Sequence, residues 1–497
     1  MTPARAALLG ALGLVLALPA AAHAAPVMIV GDDGSRIVDD PALPPAGPGV
    51  LPPPSAPPRA QRAQSEDEKK KGPTVGEAIA KALAKGTITP EAAKRYQDAF
   101  NDAKSTRNRL GGPRRAALAN VVGTVETIAR QRNLTGTRMP ALFLQLERNT
   151  EFWPKRAIPS PGTRIRFKGS EVVFEPYSGQ GIQIQPFITG VAANELWEAC
   201  NGGVRLNPEL ECDQRRLRTV LDELAALPTD RGGFLAWEYF FNFGGGSPPW
   251  ISSLSQSAII QALARGATYL NDPKYLPVAA RGLPAFERAA PNGLRTSLFG
   301  GNHYLIYSFD KSLKVLNAQI RSLVGLFDYA RITGSPQAQS LYEKGERSAR
   351  KETPRHDTGA WSLYSLGRNE SNLLYHRLVR DFLKDLCERN AVAVYCQTGE
   401  KFTRYLSEHP QIRLLDVAKA RARKPVHLTF QLSKISNVRL RVLKGDTAVF
   451  VMNRQVGYGK RSFNWTPRSA GKYEIKLEAT DLLNHHEITR GEVTVGK

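Results

Sequence analysis

The sequence predicts a multidomain, mainly α-helical protein. Its centre is a set of helix pairs stacked as an incomplete (α/α) barrel or toroid, with a small β element before it and a β-sandwich after it. Three observations predict this. From about Val191 to Leu386 apolar residues recur at helical spacing, residues 163–185 switch to period two, and period two returns beyond Pro425.

At the N-terminus, Arg5 is followed by an apolar run from Ala6 to Leu18 and by Ala22-His23-Ala24. This is the pattern of a secretory signal peptide over residues 1–24, cut after Ala24. The other reading, a membrane anchor, needs a longer apolar run than this one, which stops at Pro19. Contact with a membrane is therefore expected only in transit, and the localisation is secreted or in the periplasm or cell envelope. Residues 25–72 contain a Pro-rich stretch, Pro41 to Pro58, and a charged run, Ser65 to Lys71. Proline lacks an N–H and fixes φ, so this part reads as a disordered or polyproline-like linker.

Residues 73–160 read as an N-terminal helical region. Thr74-Val75-Gly76-Glu77 has capping-box spacing, Pro90-Glu91-Ala92-Ala93 opens a second helix, and a third runs from about Arg114 to Gln131. The β element and the helical core together span 161–400. Arg164-Ile165-Arg166-Phe167, Val172-Val173-Phe174 and Ile182-Gln183-Ile184-Gln185 read as strands, with a turn at Ser178-Gly179-Gln180-Gly181. In the core, Leu313, Leu316, Ile320, Leu323, Val324 and Phe327 form one apolar stripe. Leu254, Ala258 and Ala262 form another, and Leu374, Leu378, Phe382 and Leu386 a third. A basic linker, Lys419 to Lys424, precedes a last module over 424–497. There Val426, Leu428, Phe430 and Leu432 alternate with polar residues, as do Val438, Leu440 and Val442, and Tyr473, Ile475, Leu477 and Ala479. Phe463-Asn464-Trp465-Thr466-Pro467 and Ala470-Gly471-Lys472-Tyr473 resemble late strands of Ig-like modules.

The net charge of +22 attracts polyanions. Export argues against nucleic acid and favours an acidic polysaccharide or an anionic envelope; an Arg-rich composition alone is the plainer explanation of the charge. Cys200 and Cys212, and Cys387 and Cys396, are two close pairs that read as disulfides in an oxidising compartment. A four-thiolate metal site is the alternative, but the spacings lack short zinc-binding knuckles. No metal and no cofactor is expected, and a homodimer is among the partners allowed for.

There is no GxSxG elbow, no P-loop and no HExxH. Instead, polar and aromatic residues gather at four loop-to-helix junctions. They are Pro249 to Ala258; His303-Tyr304-Leu305-Ile306-Tyr307 with Val315-Leu316-Asn317 and Gly325-Leu326-Phe327-Asp328; His356 to Tyr364; and Asn372-Leu373-Leu374-Tyr375-His376. In this order, over roughly residues 230–390, the clusters resemble the C-terminal domain of D-glucuronyl C5-epimerases. Trp250 to Ala258, with Gln256, matches in part that family's tryptophan-bearing helix start. Tyr307, Val315-Leu316-Asn317, Gly325 to Asp328, Asp357-Thr358-Gly359, Tyr364 and Tyr375-His376 match its later motifs. Two positions depart: Ile306 stands where the family often has Glu, and Gly367 where it has Arg, leaving Arg368 one residue on.

The resemblance implies proton abstraction and return at C5 of a uronic acid in an acidic polysaccharide (a uronan), by an isomerase. Such chemistry needs a base and an acid on opposite faces and a positive group at the carboxylate. Tyr307, Tyr364 and Tyr375 are the implied catalytic residues, if nearby positive charge lowers a phenol from about 10. Trp250, Gln256, His303, Asn317, Arg368 and His376 are the implied substrate-binding residues, with Arg368 and His376 placed to meet the carboxylate. Each tyrosine taken alone also fits a packing role with its hydroxyl satisfied. The other classes of function are a polysaccharide lyase on the same scaffold and a non-catalytic envelope glycan-binding or scaffold protein.

Overall fold

A computed structural model describes residues 25–44, 72–203, 207–367, 369–415 and 420–497. The expected signal peptide, residues 1–24, lies outside the described residues, as do 45–71 of the expected linker.

The first described residues overturn part of that linker. Strands β1 (Ala25–Gly31) and β2 (Gly34–Asp40) form an antiparallel hairpin, with Ile29 opposite Arg36. Gly34 closes the turn at φ 133°, a conformation that costs glycine little and other residues much. Val27 and Val30 are buried, and β1 pairs in parallel with a strand far along the chain. That distant partner is why a local reading of residues 25–44 goes wrong.

Four helices follow: α1 (Val75–Ala84), α2 (Pro90–Arg109), α3 (Gly112–Arg130) and α4 (Met139–Lys155). The expected capping box is present. The Glu77 amide donates to Thr74 Oγ1 at 3.2 Å, and the Thr74 amide donates to Glu77 Oε2 at 2.7 Å. Thr89 caps α2 by accepting from the amide of Ala92.

Strands β3 (Arg164–Phe167), β4 (Phe174–Tyr177) and β5 (Gly181–Ile184) complete a five-stranded sheet in the order β2-β1-β3-β4-β5. Ile165, Phe167, Phe174, Ile182 and Ile184 pack with α1–α4 in one core. Asn149 of α4 clamps β5, accepting from the Ile182 amide at 2.9 Å and donating to the Ile182 carbonyl at 2.7 Å.

The helical core opens with α5 (Pro186–Asn201) and α6 (Gln214–Ala226). Four two-residue strands, β6 (Thr229–Asp230), β7 (Leu235–Ala236), β8 (Glu238–Tyr239) and β9 (Trp250–Ile251), lead into α7 (Ser253–Tyr269) and α8 (Tyr275–Gly282). The hairpin β10 (Arg295–Leu298) and β11 (Gly301–Tyr304) precedes α9 (Leu316–Thr333) and α10 (Pro336–Glu352). Helices α11 (Leu373–Asn390) and α12 (Ala393–Arg404) end the core.

Helix α7 is buried almost all round, flanked by α5 and α9. The close approach of α9 depends on Gly325, where an added Cβ would stand 2.6 Å from the Ser257 carbonyl oxygen. Gly325→Ala should therefore destabilise the protein by about 1–3 kcal/mol through overpacking. A thermal melt indistinguishable from wild type would show that the α7–α9 contact can yield. Asp328, at the end of the same motif, holds this contact from the side through Arg265 at 2.8 Å and Arg389 at 2.7 Å.

On α11 the buried row is Tyr375, Val379, Leu383 and Leu386, not the expected Leu374, Leu378 and Phe382. Two adjacent rows of this helix are apolar, and tertiary packing selects one of them. The cysteines form two disulfides, Cys200–Cys212 and Cys387–Cys396, which excludes the four-thiolate alternative. They tie α5 to the start of α6 and α11 to α12.

The C-terminal module consists of β12 (Ile412–Leu414), β13 (Ala420–Arg421), β14 (Val426–Leu432), β15 (Ser436–Lys444), β16 (Thr447–Val456), β17 (Gly459–Trp465), β18 (Gly471–Asp481) and β19 (His486–Gly496). They form a three-stranded sheet, β12-β14-β17, and a five-stranded sheet, β13-β19-β18-β15-β16, over one core that includes Leu428, Phe430, Val438, Leu440, Ile475 and Leu477. Strand β13 falls inside the expected basic linker. Glu370 fixes the module to the helical core: its two carboxylate oxygens accept from the amides of Ile435 and Tyr458, at 2.8 and 2.7 Å.

Candidate active site

The junctions that precede α7, α9 and α11 meet in space. Strands β8 and β9 stack Tyr239 on Trp250, with ring centroids 4.2 Å apart and planes within 5°. Trp250 Nε1 donates to the Phe241 carbonyl at 2.8 Å, which locks the indole. Tyr307 meets Trp250 edge-on at 5.7 Å and lies 5.5 Å from Phe243. It stacks on Phe309 at 5.3 Å. Tyr364 and Tyr375 pack with ring centroids 5.5 Å apart and planes tilted by 44°. The Tyr364 loop is held beside the entry to α9 by the Leu366 amide, which donates to the Lys314 carbonyl at 2.9 Å. Tyr307 and Tyr375 both influence the ionisation of Tyr364. The three tyrosines singled out in the sequence thus share one cluster.

Sequence reasoning did not foresee what the β sheet adds. Strand β4 brings Glu175 and Tyr177 to the same cluster. Tyr177 packs on Phe241 at 4.1 Å and interacts electrostatically with Tyr239, Tyr307 and Tyr375. Gln185, just after β5, donates from Nε2 to the Tyr177 hydroxyl. Arg164 of β3 lies beside Glu175, Nε to Oε1 3.7 Å. A signal for this existed: period two puts Glu175 and Tyr177 on one face of a strand whose other face holds Phe174.

The electrostatics correct one expectation. No phenol here is lowered by a positive charge. Burial pushes Tyr307 well above its ordinary value, and burial, with neighbouring phenols or Glu175, pushes up Tyr364 and Tyr375. Neutral phenols of this kind are proton donors.

The expected substrate-binding residues divide. Trp250 belongs to the cluster. Asn317 is buried at the start of α9 with its Oδ1 unpartnered. Gln256 is instead a framework residue, since its Nε2 donates to the carbonyls of Leu235 and Gly282, both at 2.9 Å. His303 is bound through Nδ1 to Glu352 at 2.9 Å. His376 stacks on Trp361 at 3.7 Å and contacts Ser362 Oγ and the Phe402 carbonyl, both at 2.9 Å. Burial pulls His376 down to about 4, so it is neutral at pH 7 and brings no positive charge to a carboxylate. Arg368 lies outside the described residues.

Residues 231–404 match the family model of the D-glucuronyl C5-epimerase C-terminus. The likeness to that family lies in this part of the chain. Within the matched segment fall Tyr239, Trp250, Tyr307, Tyr364 and Tyr375, whereas Arg164, Glu175, Tyr177 and Gln185 come from outside it. A D-glucuronyl C5-epimerase of Caenorhabditis elegans is 33% identical over 132 residues, covering 24% of this chain and 21% of that protein. An uncharacterized protein of Methanocaldococcus jannaschii is 26% identical over 176 residues, covering 34% of this chain and 57% of that protein. The chain thus spans about a fifth and somewhat over half of these relatives. Among solved structures, a sugar epimerase from a ruminal bacterium matches with 12% identity and a TM-score of 0.31, over 46% of this chain and 61% of that one. A protein from Listeria innocua matches with 13% identity and a TM-score of 0.34, over 61% and 75%.

Proposed function

We propose that this protein is a uronyl C5-epimerase-like isomerase acting on an acidic polysaccharide. The observation that carries this reading is the convergence of Tyr307, Tyr364 and Tyr375, from three separate epimerase-family junctions, on one aromatic cluster. Removing the proton α to a uronate carboxylate and returning one to the opposite face needs a donor on one side of the ring. Phenols kept neutral by burial suit that role. Arg164 offers positive charge for the enediolate that forms at the carboxylate. The half-buried Phe243 and Phe309 offer apolar faces for a sugar ring. The net charge of +22 favours a polyanionic chain.

In this reading residues 161–400 are the catalytic unit, built as an incomplete (α/α) toroid, and the last module is an Ig-like sandwich that positions it. The two disulfides accord with an exported protein.

Incubating the folded chain with uronic-acid polysaccharides in deuterated water tests the proposal. Deuterium should appear at C5, and Tyr307→Phe should lower the rate about 100-fold or more while leaving the circular dichroism unchanged. Unsaturated chain ends would replace the reading with a lyase. No exchange on any uronan would overturn it.

A further inference from the structure

The five-stranded sheet has two unlike faces. One is apolar and joins the core of α1–α4. The other carries Arg164, Arg166, Glu175 and Gln183, all buried, with Gln185 and Tyr177 at its end. Polar side chains this deep normally cost several kcal/mol unless every atom is paired. Here the side-chain oxygens of Gln183 and Gln185 are buried without a partner. Such a layer, facing the tyrosine cluster, has the composition of a site.

Within it, one hydrogen-bond direction matters. Gln185 Nε2 donates to the Tyr177 oxygen, so the phenolic hydrogen is free to turn to Glu175, two residues back on the same face of β4 and electrostatically coupled to it. Glu175 therefore stands behind Tyr177 as a proton acceptor. The tyrosines alone offer donors, and a reaction at C5 also needs an acceptor.

We propose that Glu175, acting through Tyr177, is the proton acceptor of this site. The inference rests on the epimerase reading above. The C5–H bond breaks and its electron pair enters the enediolate. The C5 proton passes to the Tyr177 oxygen as the Tyr177 proton passes to the Glu175 carboxylate. On the opposite face Tyr307 gives its phenolic proton to C5, and exchange with water restores both ends. Tyr177 would be the catalytic residue and Glu175 the positioning residue behind it.

The groups facing Glu175 are Arg164 from β3, Tyr177 from β4, Gln185 after β5, Tyr239 from β8 and Tyr375 from α11. Desolvation outweighs the attraction of Arg164 and raises Glu175 to about 7. Because an acceptor must be deprotonated, exchange should fall as pH drops below about 7.

The test compares wild type, Glu175→Gln, Tyr177→Phe and the double variant for deuterium exchange at C5 across pH. Glu175→Gln should lose about 100-fold in kcat with little change in KM, and should lose the acid limb. Tyr177→Phe removes only a hydroxyl and carries the test if Glu175→Gln does not fold. The double variant should be no slower than the slower single, since both lie on one path. Wild-type exchange with either variant within threefold of it, or with the acid limb retained in Glu175→Gln, overturns this assignment alone. A wild type that exchanges with no uronan overturns the epimerase reading and the acceptor role with it.

Discussion

Glu238→Ala should lower stability by about 3–5 kcal/mol, because it strands two buried guanidinium groups. Arg138, at the start of α4, holds Glu238 with two bonds, Nε to Oε2 at 2.6 Å and Nη2 to Oε1 at 3.0 Å. Arg231 adds a third at 2.6 Å. The Glu238 side chain has no exposed surface. The triad joins the N-terminal helices to the strand carrying Tyr239, so its loss should loosen the site as well as the fold. Desolvation alone would raise the Glu238 carboxyl, but the two arginines outweigh it and hold it below its ordinary value. A lowered folded value means stability that is present above the unfolded pKa and lost as pH falls through the folded one. Denaturant unfolding at pH 7 and across the acid range checks both points. A change under 1 kcal/mol at pH 7 would mean that water reaches Arg138 and Arg231.

The second large effect is expected at Glu352→Ala, about 2–4 kcal/mol, from leaving buried imidazole groups without their acceptor. Glu352 closes α10 and receives His303 Nδ1 at 2.9 Å and His356 Nε2 at 3.3 Å, all three side chains fully buried. His303 lies just before Tyr307 and His356 just before the loop of Tyr364. One carboxylate thus sets the spacing of two junctions that feed the site. Desolvation acts to raise Glu352, and the two histidines outweigh it, lowering it to about 2. Its contribution is therefore complete above its unfolded value of 4.5 and is lost between there and about 2. Glu352→Gln keeps an acceptor and should recover part of the loss. An acid-unfolding midpoint identical in wild type and Glu352→Ala would contradict this account.

Much of the fold is local and was legible. Thr74 and Glu77 cap α1 through atoms three residues apart, and the alternation from Val426 to Leu432 returns as the buried face of β14. What failed was non-local. β1 looks like the head of a proline-rich linker because its partner, β3, lies beyond four helices. The apolar row on α11 could be chosen only by its neighbours.

The aromatic cluster shows the same division. Tyr307, Tyr364 and Tyr375 are marked in the sequence by their motifs at helix entries, and the close cysteine pairs by their spacing. The sequence by itself determined which residues stand at the loop-to-helix junctions, the helical and strand periods, and the charge. Only the tertiary structure decided that β4 and β5 turn a polar face toward those tyrosines. It also decided that His376 and Gln256 are held in the framework, and that burial keeps the phenols protonated. The physical reason is that desolvation and hydrogen-bond direction belong to groups brought together across the chain. No spacing along it encodes how deeply Glu175 is removed from water.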